Sequence, residues 1–144
     1  MKLSLEEIKD ILPHRNHMLM IDEVMNLDIE NKTIKACKKI LRNSIYVDGH
    51  YPNYPIVPGV MIIEGIAQAS GIIIMKENSC KIPLLVSVEK IKFIKKVIPD
   101  VNIIFDVKII NSKKNFYKAY GRALVNNDIV AECTFVVSLE DDIS

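Results

Sequence analysis

Cysteine is too scarce and too scattered in this sequence to build a covalent or metallic framework. Cys37, Cys80 and Cys133 are the only three and form no CxxC pair, which argues against disulfides and against a zinc site. No two histidines stand at i and i+4 with an acid, so no metal is expected. An excess of one charge is also lacking: 19 Lys and Arg face 18 Asp and Glu, a formal net charge of +1. No nucleic-acid partner is expected. The start, MKLSLEEIKDIL, is amphipathic and polar and lacks the apolar run of a secretion signal, so a cytoplasmic protein is expected. Residues 56–75 have the length of a membrane span but contain Pro58, Glu64 and Gln68. Their uncharged run, Gly65 to Met75, has 11 residues, so a buried core helix is expected and no membrane partner. There is no repeat, low-complexity tract or linker, and the 144 residues are read as one domain, 1–144.

What is present has the balance of a folded globular chain, 49% hydrophobic and 26% charged. The charge is uneven: Lys76 to Arg122 holds 11 basic residues against 4 acidic ones. A basic half can steer an acidic partner, although solvated lysines along strand edges account for it equally well.

Ser4 and Glu7 have the spacing of a capping box, and Leu5, Ile8, Ile11 and Leu12 recur at helical intervals until Pro13 ends the helix. Residues 18–29 and 33–41 read as strands around Glu30-Asn31-Lys32, with Ile34, Ala36 and Ile40 on one face. Residues 48–59 hold three prolines and two glycines and read as a rigid irregular loop, with Pro58 in the first turn of the next helix. That helix runs to about Lys76 and is apolar nearly all round, so burial on every side is expected. Four strand-like segments follow at 84–94, 101–111, 115–126 and 129–139, with turns at Asn111–Lys114 and Asn126-Asn127-Asp128. Val86, Val88 and Phe93 with their lysine neighbours fit a half-buried antiparallel sheet. One helix wrapped by one antiparallel sheet, an α+β domain, is the economical packing.

Glu64 is the anomaly, a carboxylate in the middle of the most apolar helix, where an unpaired charge is costly. Gln68 lies one turn on, on the same face. Satisfaction by local donors or by a subunit interface is the bland account; a catalytic acid is the functional one. His50 sits in the Pro/Gly-rich loop, held between Gly49 and Pro52. His14 and His17 are lone loop histidines, and Pro13-His14-Arg15 reads as a helix stop. Pro58-Gly59-Val60 opens the apolar helix, whose first amides have no intrahelical partner and carry the positive end of the macrodipole. A base, an acid and an oxyanion site around one apolar helix start suit chemistry beside a thioester carbonyl.

The stretch GHYPNYPIVPGVMIIEGIAQ, residues 49–68, resembles the signature of the FabZ dehydratases, written GHFPxxPxMPGVLxxEAxAQ. Leu12-Pro13-His14-Arg15 with Ile21-Asp22 is similar to that family's LPHRxPxLLxD, and weaker similarity continues through Lys92-Phe93 and 97–100. Asn53 stands where the family has glycine, Glu23 where it has arginine, and Ile94-Lys95-Lys96 replaces an RKPV-like pattern. The resemblance implies a hotdog fold, one long buried central helix wrapped by a curved antiparallel β-sheet. It implies dehydration of (3R)-3-hydroxyacyl-[acyl-carrier-protein] to the trans-2-enoyl thioester in fatty acid biosynthesis. His50 would take the proton next to the carbonyl, an imidazole's usual proton affinity suiting both directions. Glu64, supplied by the other subunit, would protonate the departing hydroxyl or deliver a proton to it through water. Gly59, Val60 and Gln68 would bind the substrate, with the Gly59 amide on the thioester oxygen. No cofactor is implied. The partners implied are acyl carrier protein and a second copy of the chain, as a dimer with shared sites that commonly forms a trimer of dimers. Lys90, Lys92, Lys95 and Lys96 are the leading docking lysines, with Lys90 and Lys92 on one face by alternation. Two rivals remain: a hotdog thioesterase, told apart by a free-acid product, and a non-catalytic acyl-binding module, for which a His50/Glu64 pair is unnecessary.

Overall fold

The computed structural model describes residues 1–78 and 81–141, so Cys80 lies outside the described residues. Helix α1 (Leu5–Ile11) starts on the expected capping box, with Ser4 and Glu7 each accepting from the other's amide at 3.3 Å. Strands β1 (Glu23–Asp28) and β2 (Thr33–Ile40) pair antiparallel around a turn in which Asp28 accepts the Asn31 amide at 3.0 Å. The strand expected from residue 18 begins only at Glu23. The shortfall at its start has a physical cause: the Met18 carbonyl and the Met20 amide are bonded to the side chain of Gln68 and are not free for a strand neighbour. A four-residue helix, α2 (Ile45–Asp48), was not expected and leads into the proline-rich loop.

Helix α3 (Gly59–Met75) is followed by β3 (Lys81–Phe93), β4 (Val101–Lys113), β5 (Phe116–Val125) and β6 (Asp128–Asp141). All pairings are antiparallel and the strand order is β1-β2-β4-β5-β6-β3. The β5–β6 hairpin turns on Asn126 and Asn127, both in the left-handed region at φ 50° and 68°, a conformation that asparagine tolerates well. The β4–β5 turn falls later than expected, at Lys114-Asn115, after a register shift between Ile109 and Asn111. The sheet curls around α3, which touches β2 through β6. This is the expected hotdog arrangement.

Helix and sheet interlock through two glycines. A methyl group at Gly65 of α3 would stand 2.2 Å from the Phe105 ring of β4, and one at Gly121 of β5 would stand 2.2 Å from Cγ2 of Ile66. Each element therefore gives up a side chain where the other inserts one, and Phe105 and Ile66 are both fully buried. On the opposite face of the sheet the register sets Lys35, Asp106, Arg122, Glu132 and Lys92 side by side across five strands. The signs alternate along that row, and Arg122 donates to Asp106 at 3.0 and 3.2 Å.

Burial of α3 on every side does not hold. From Gln68 to Met75 every residue is buried, but Val60 is 73% exposed and Glu64 and Ala67 are half-buried. These three lie at i, i+4 and i+7, one stripe that the curled sheet leaves uncovered. Strand β3 also departs from expectation. It is an edge strand, and Leu84, Leu85, Val86, Ile91 and Phe93 are exposed where a half-buried strand was expected. Lys90 takes a positive φ of 47° inside a register shift between Glu89 and Lys92, which breaks the alternation expected to align Lys90 with Lys92.

Candidate active site

Glu64 is carried outward on the uncovered stripe of α3, with 26% of its side chain exposed. Gln68, one turn later, donates to Glu64 Oε1 at 2.9 Å. Gln68 is 2% exposed, and the rest of its amide is engaged, accepting from the Met20 amide at 2.8 Å and donating to the Met18 carbonyl at 2.6 Å. The expected substrate-binding Gln68 is thus placed beside Glu64, with both donors and its oxygen already partnered inside the protomer.

The second neighbour of Glu64 is His14, whose Nε2 stands 3.5 Å from Oε1. The segment that bears it is fixed as the helix-stop reading implies. Leu12 leaves helical geometry at ψ 138°, and the Arg15 guanidinium donates to the carbonyls of Lys9, Leu12 and His14 at 2.7–2.8 Å. A cation on the last carbonyls of α1 suits the negative end of its dipole. Burial holds His14 below the ordinary imidazole range; the Glu64 carboxylate pulls it upward and Arg15 pushes it further down. His14, Glu64, Ala67, Gln68, Pro83, Leu85 and Val137 line a narrow cavity of about 70 Å³.

His50 follows α2, half-buried, with Nδ1 3.4 Å from the Ile56 carbonyl and its ring stacked on Tyr51 at 4.0 Å between centroids. The carbonyl favours the tautomer with its proton on Nδ1, leaving Nε2 with a lone pair. At the start of α3 the amides of Met61 and Ile62 both bond to the Pro58 carbonyl, leaving those of Gly59 and Val60 at the open first turn. The loop before it is pinned by the Val57 amide on the Val97 carbonyl at 2.8 Å. The Phe93 ring lies against Gly59, where a methyl group would meet it at 2.7 Å. Gly59, Val60, Ile62, Phe93 and Lys96 are among the residues lining a mostly apolar cavity of about 410 Å³.

Two centres result: the carboxylate with His14 and Gln68, and the helix start with its apolar cavity and His50 nearby through Ile56. Among the described residues no hydrogen bond or ion pair joins His50 to Glu64 within the protomer. No three His, Cys, Asp or Glu side chains among them gather as a metal-ligating group. Cys133 is no candidate nucleophile, since burial pushes its thiol up to about 11.

The family model described as the FabA-like domain matches residues 12–134. The 3-hydroxyacyl-[acyl-carrier-protein] dehydratase FabZ of Fusobacterium nucleatum is 38% identical over 139 residues, covering 96% of this chain and 99% of that one. That of Petrotoga mobilis is 39% identical over 139 residues with the same coverage. This chain belongs to the FabZ family. Among solved structures, the dehydratase heterocomplex ApeI:P from Xenorhabdus doucetiae superposes with a TM-score of 0.80 at 13% identity, covering 93% of this chain and 91% of that one. A thioesterase-like phenylacetic acid degradation-related protein from Ralstonia eutropha gives 0.65 at 10% identity, with 80% and 82% covered, and shares the fold. Within this FabZ protein the side chain that sequence reasoning passed over is His14. A lone loop histidine after a helix stop carries no signal of its own; its place in the LPHR-like motif was the one available pointer.

Proposed function

We propose that this protein converts (3R)-3-hydroxyacyl thioesters on acyl carrier protein to trans-2-enoyl thioesters, through His50 and Glu64. The observation that carries the site assignment is Glu64 itself. A carboxylate stands on a predominantly apolar helix, with 26% of its side chain exposed, and is oriented through one oxygen by a fully committed amide. A carboxyl that served only packing would be replaced without loss by an apolar residue. His50 Nε2 takes the proton from the carbon next to the carbonyl, and the electron pair forms the new double bond. The Gly59 amide, at the open end of α3, receives the charge developing on the thioester oxygen. The carbon–oxygen bond at C3 breaks, and Glu64 of the partner subunit gives its proton to the departing hydroxyl, releasing water. His50 returns its proton through solvent to reset the pair.

Assembly with a second copy is supported by the surface that the protomer leaves open. Edge strand β3 exposes a line of apolar side chains, and an exposed apolar edge is a template for pairing. A dimer that pairs there, further assembled as a trimer of dimers, would give each cavity at an α3 start a carboxylate from the other copy. Acyl carrier protein is the substrate's carrier, and Lys95 and Lys96 line the cavity at that helix start. Lys95 is paired with Asp128 at 3.3 Å, an exposed pair that an incoming acidic surface can exchange at little cost, and the exposed Lys92 ammonium stands 4.0 Å from the half-buried Glu132.

The test is enoyl absorbance with 3-hydroxyacyl thioesters of several chain lengths, on carrier protein. His50→Ala and Glu64→Gln are each expected to lower turnover by about 10²–10⁴-fold with folding retained. Near-normal turnover by either variant removes that residue from the mechanism, and release of free acid and thiol would make the protein a thioesterase.

A further inference from the structure

Oε1 of Glu64 is approached from two sides. Gln68 Nε2 donates to it at 2.9 Å, and His14 Nε2 stands 3.5 Å away. Among the described residues, Oε2 takes no hydrogen bond. The Gln68 donor has no freedom to turn, because its second N–H goes to Met18 and its oxygen is held by the Met20 amide.

The state of His14 follows from its two nitrogens. Nε2 faces a carboxyl oxygen, where a lone pair would be repelled, so the proton belongs on Nε2. Nδ1 is buried with no partner among the described residues. Charging the ring would place a second N–H there with no acceptor, which is expensive. Burial accordingly depresses the proton affinity of His14. The cavity around it adds no other charge: α3 presents Glu64, Ala67 and Gln68, β3 presents Pro83 and Leu85, and β6 presents Val137. Arg15, the neighbour in sequence, turns its guanidinium onto carbonyls of α1 and its own loop. Burial and the partnerless Nδ1 thus favour a neutral His14 ring with its N–H on the Nε2 side, turned toward Glu64. A lysine or arginine at that place would set a full positive charge beside the carboxyl; a neutral imidazole orients the group without one.

We propose that His14 is a positioning residue of the dehydration, engaging Oε1 of Glu64 together with Gln68 so that Oε2 is the oxygen that delivers the proton. The inference rests on Glu64 being the acid. As the C3–O bond breaks, its electron pair stays with the hydroxyl oxygen, the proton passes from Oε2 to that oxygen, and water leaves. Glu64 becomes a carboxylate whose new charge is met at Oε1 by the Gln68 N–H, with the His14 ring 3.5 Å away and able to close on it. His14 gains and loses no proton.

A double-mutant cycle in the full-length protein tests this, with kcat and KM measured for hydration of crotonyl thioester and thermal unfolding followed for every variant. His14→Gln keeps an N–H at the reach of Nε2, whereas His14→Asn reaches only the position of Nδ1. His14→Asn is expected to lower kcat roughly tenfold with KM within about twofold, and His14→Gln to lose less than about threefold. On the Glu64→Gln background, His14→Asn is expected to add no further loss, because its only route to the reaction is removed. Equal losses for Asn and Gln, a loss confined to KM, no loss at all, or a full tenfold loss repeated on the Glu64→Gln background would each overturn the proposal. Near-normal activity of Glu64→Gln alone would sink the acid assignment beneath it, a separate and recognisable failure.

Discussion

His14 ties the acid stability of the fold to the site. Its proton affinity is depressed in the folded chain, chiefly by burial, so the unfolded chain binds a proton that the folded chain refuses. Below the unfolded value of about 6.5 that difference works against folding, and above it the contribution is constant. Stability is therefore expected to fall as the pH drops from about 7 to about 5, and the fall is expected to be shallower in His14→Gln. Urea midpoints at both values check this; an unchanged slope in the variant means that His14 does not titrate differently on folding. Two glycines fix a harder constraint. Gly65→Ala would drive a methyl group into the Phe105 ring, and a cost of about 1–3 kcal/mol is expected from such overpacking, read as a lower urea midpoint. At this scale the motif singled out His50, Glu64 and Gly59 as candidates. Gln68 was legible as a residue but not in its work, because its partners at Met18 and Met20 are some 50 positions away along the chain.

Among the elements, local chemistry foretold what local chemistry controls. The Ser4/Glu7 box begins α1, Pro13 ends it, and two asparagines turn the last hairpin. Three departures were set by distant parts of the chain. The segment before β1 gives its backbone to a helix side chain, β3 lies at an edge, and a bulge at Lys90 interrupts its alternation. The apolar residues of β3 look like core in sequence because they are suited to burial, yet none of the described residues covers them. Here a second copy is the expected cover. Leu84→Lys with Val86→Lys is expected to leave the protomer folded, since both side chains are 46–52% exposed. It is also expected to shift the protein toward monomer in sedimentation, because lysine on an exposed edge opposes pairing. An unaltered sedimentation profile would place the interface elsewhere.

For the whole molecule, the separation of the two centres has a consequence that assembly alone can show. If each site takes His50 from one copy and Glu64 from the other, twofold symmetry gives a dimer two sites, each using both chains. In a heterodimer of His50→Ala with Glu64→Gln, one site then holds both wild-type groups and the other holds neither. Either variant by itself is expected to have about 10²–10⁴-fold less activity than wild type, since each of its sites then lacks one group. Mixing equal amounts and allowing exchange makes about half of the dimers hetero, each with one intact site of two, so about a quarter of the wild-type activity per subunit is expected to return. The recovery must rise at the rate of subunit exchange, followed separately with labelled protein, and must fail when exchange is blocked. Two inactive proteins that exchange fully and stay inactive would put His50 and Glu64 of each site on the same chain. The loop carrying His50 would then have to close on α3 within the protomer, against the geometry in which His50 reaches Ile56 and Glu64 reaches Gln68 and His14.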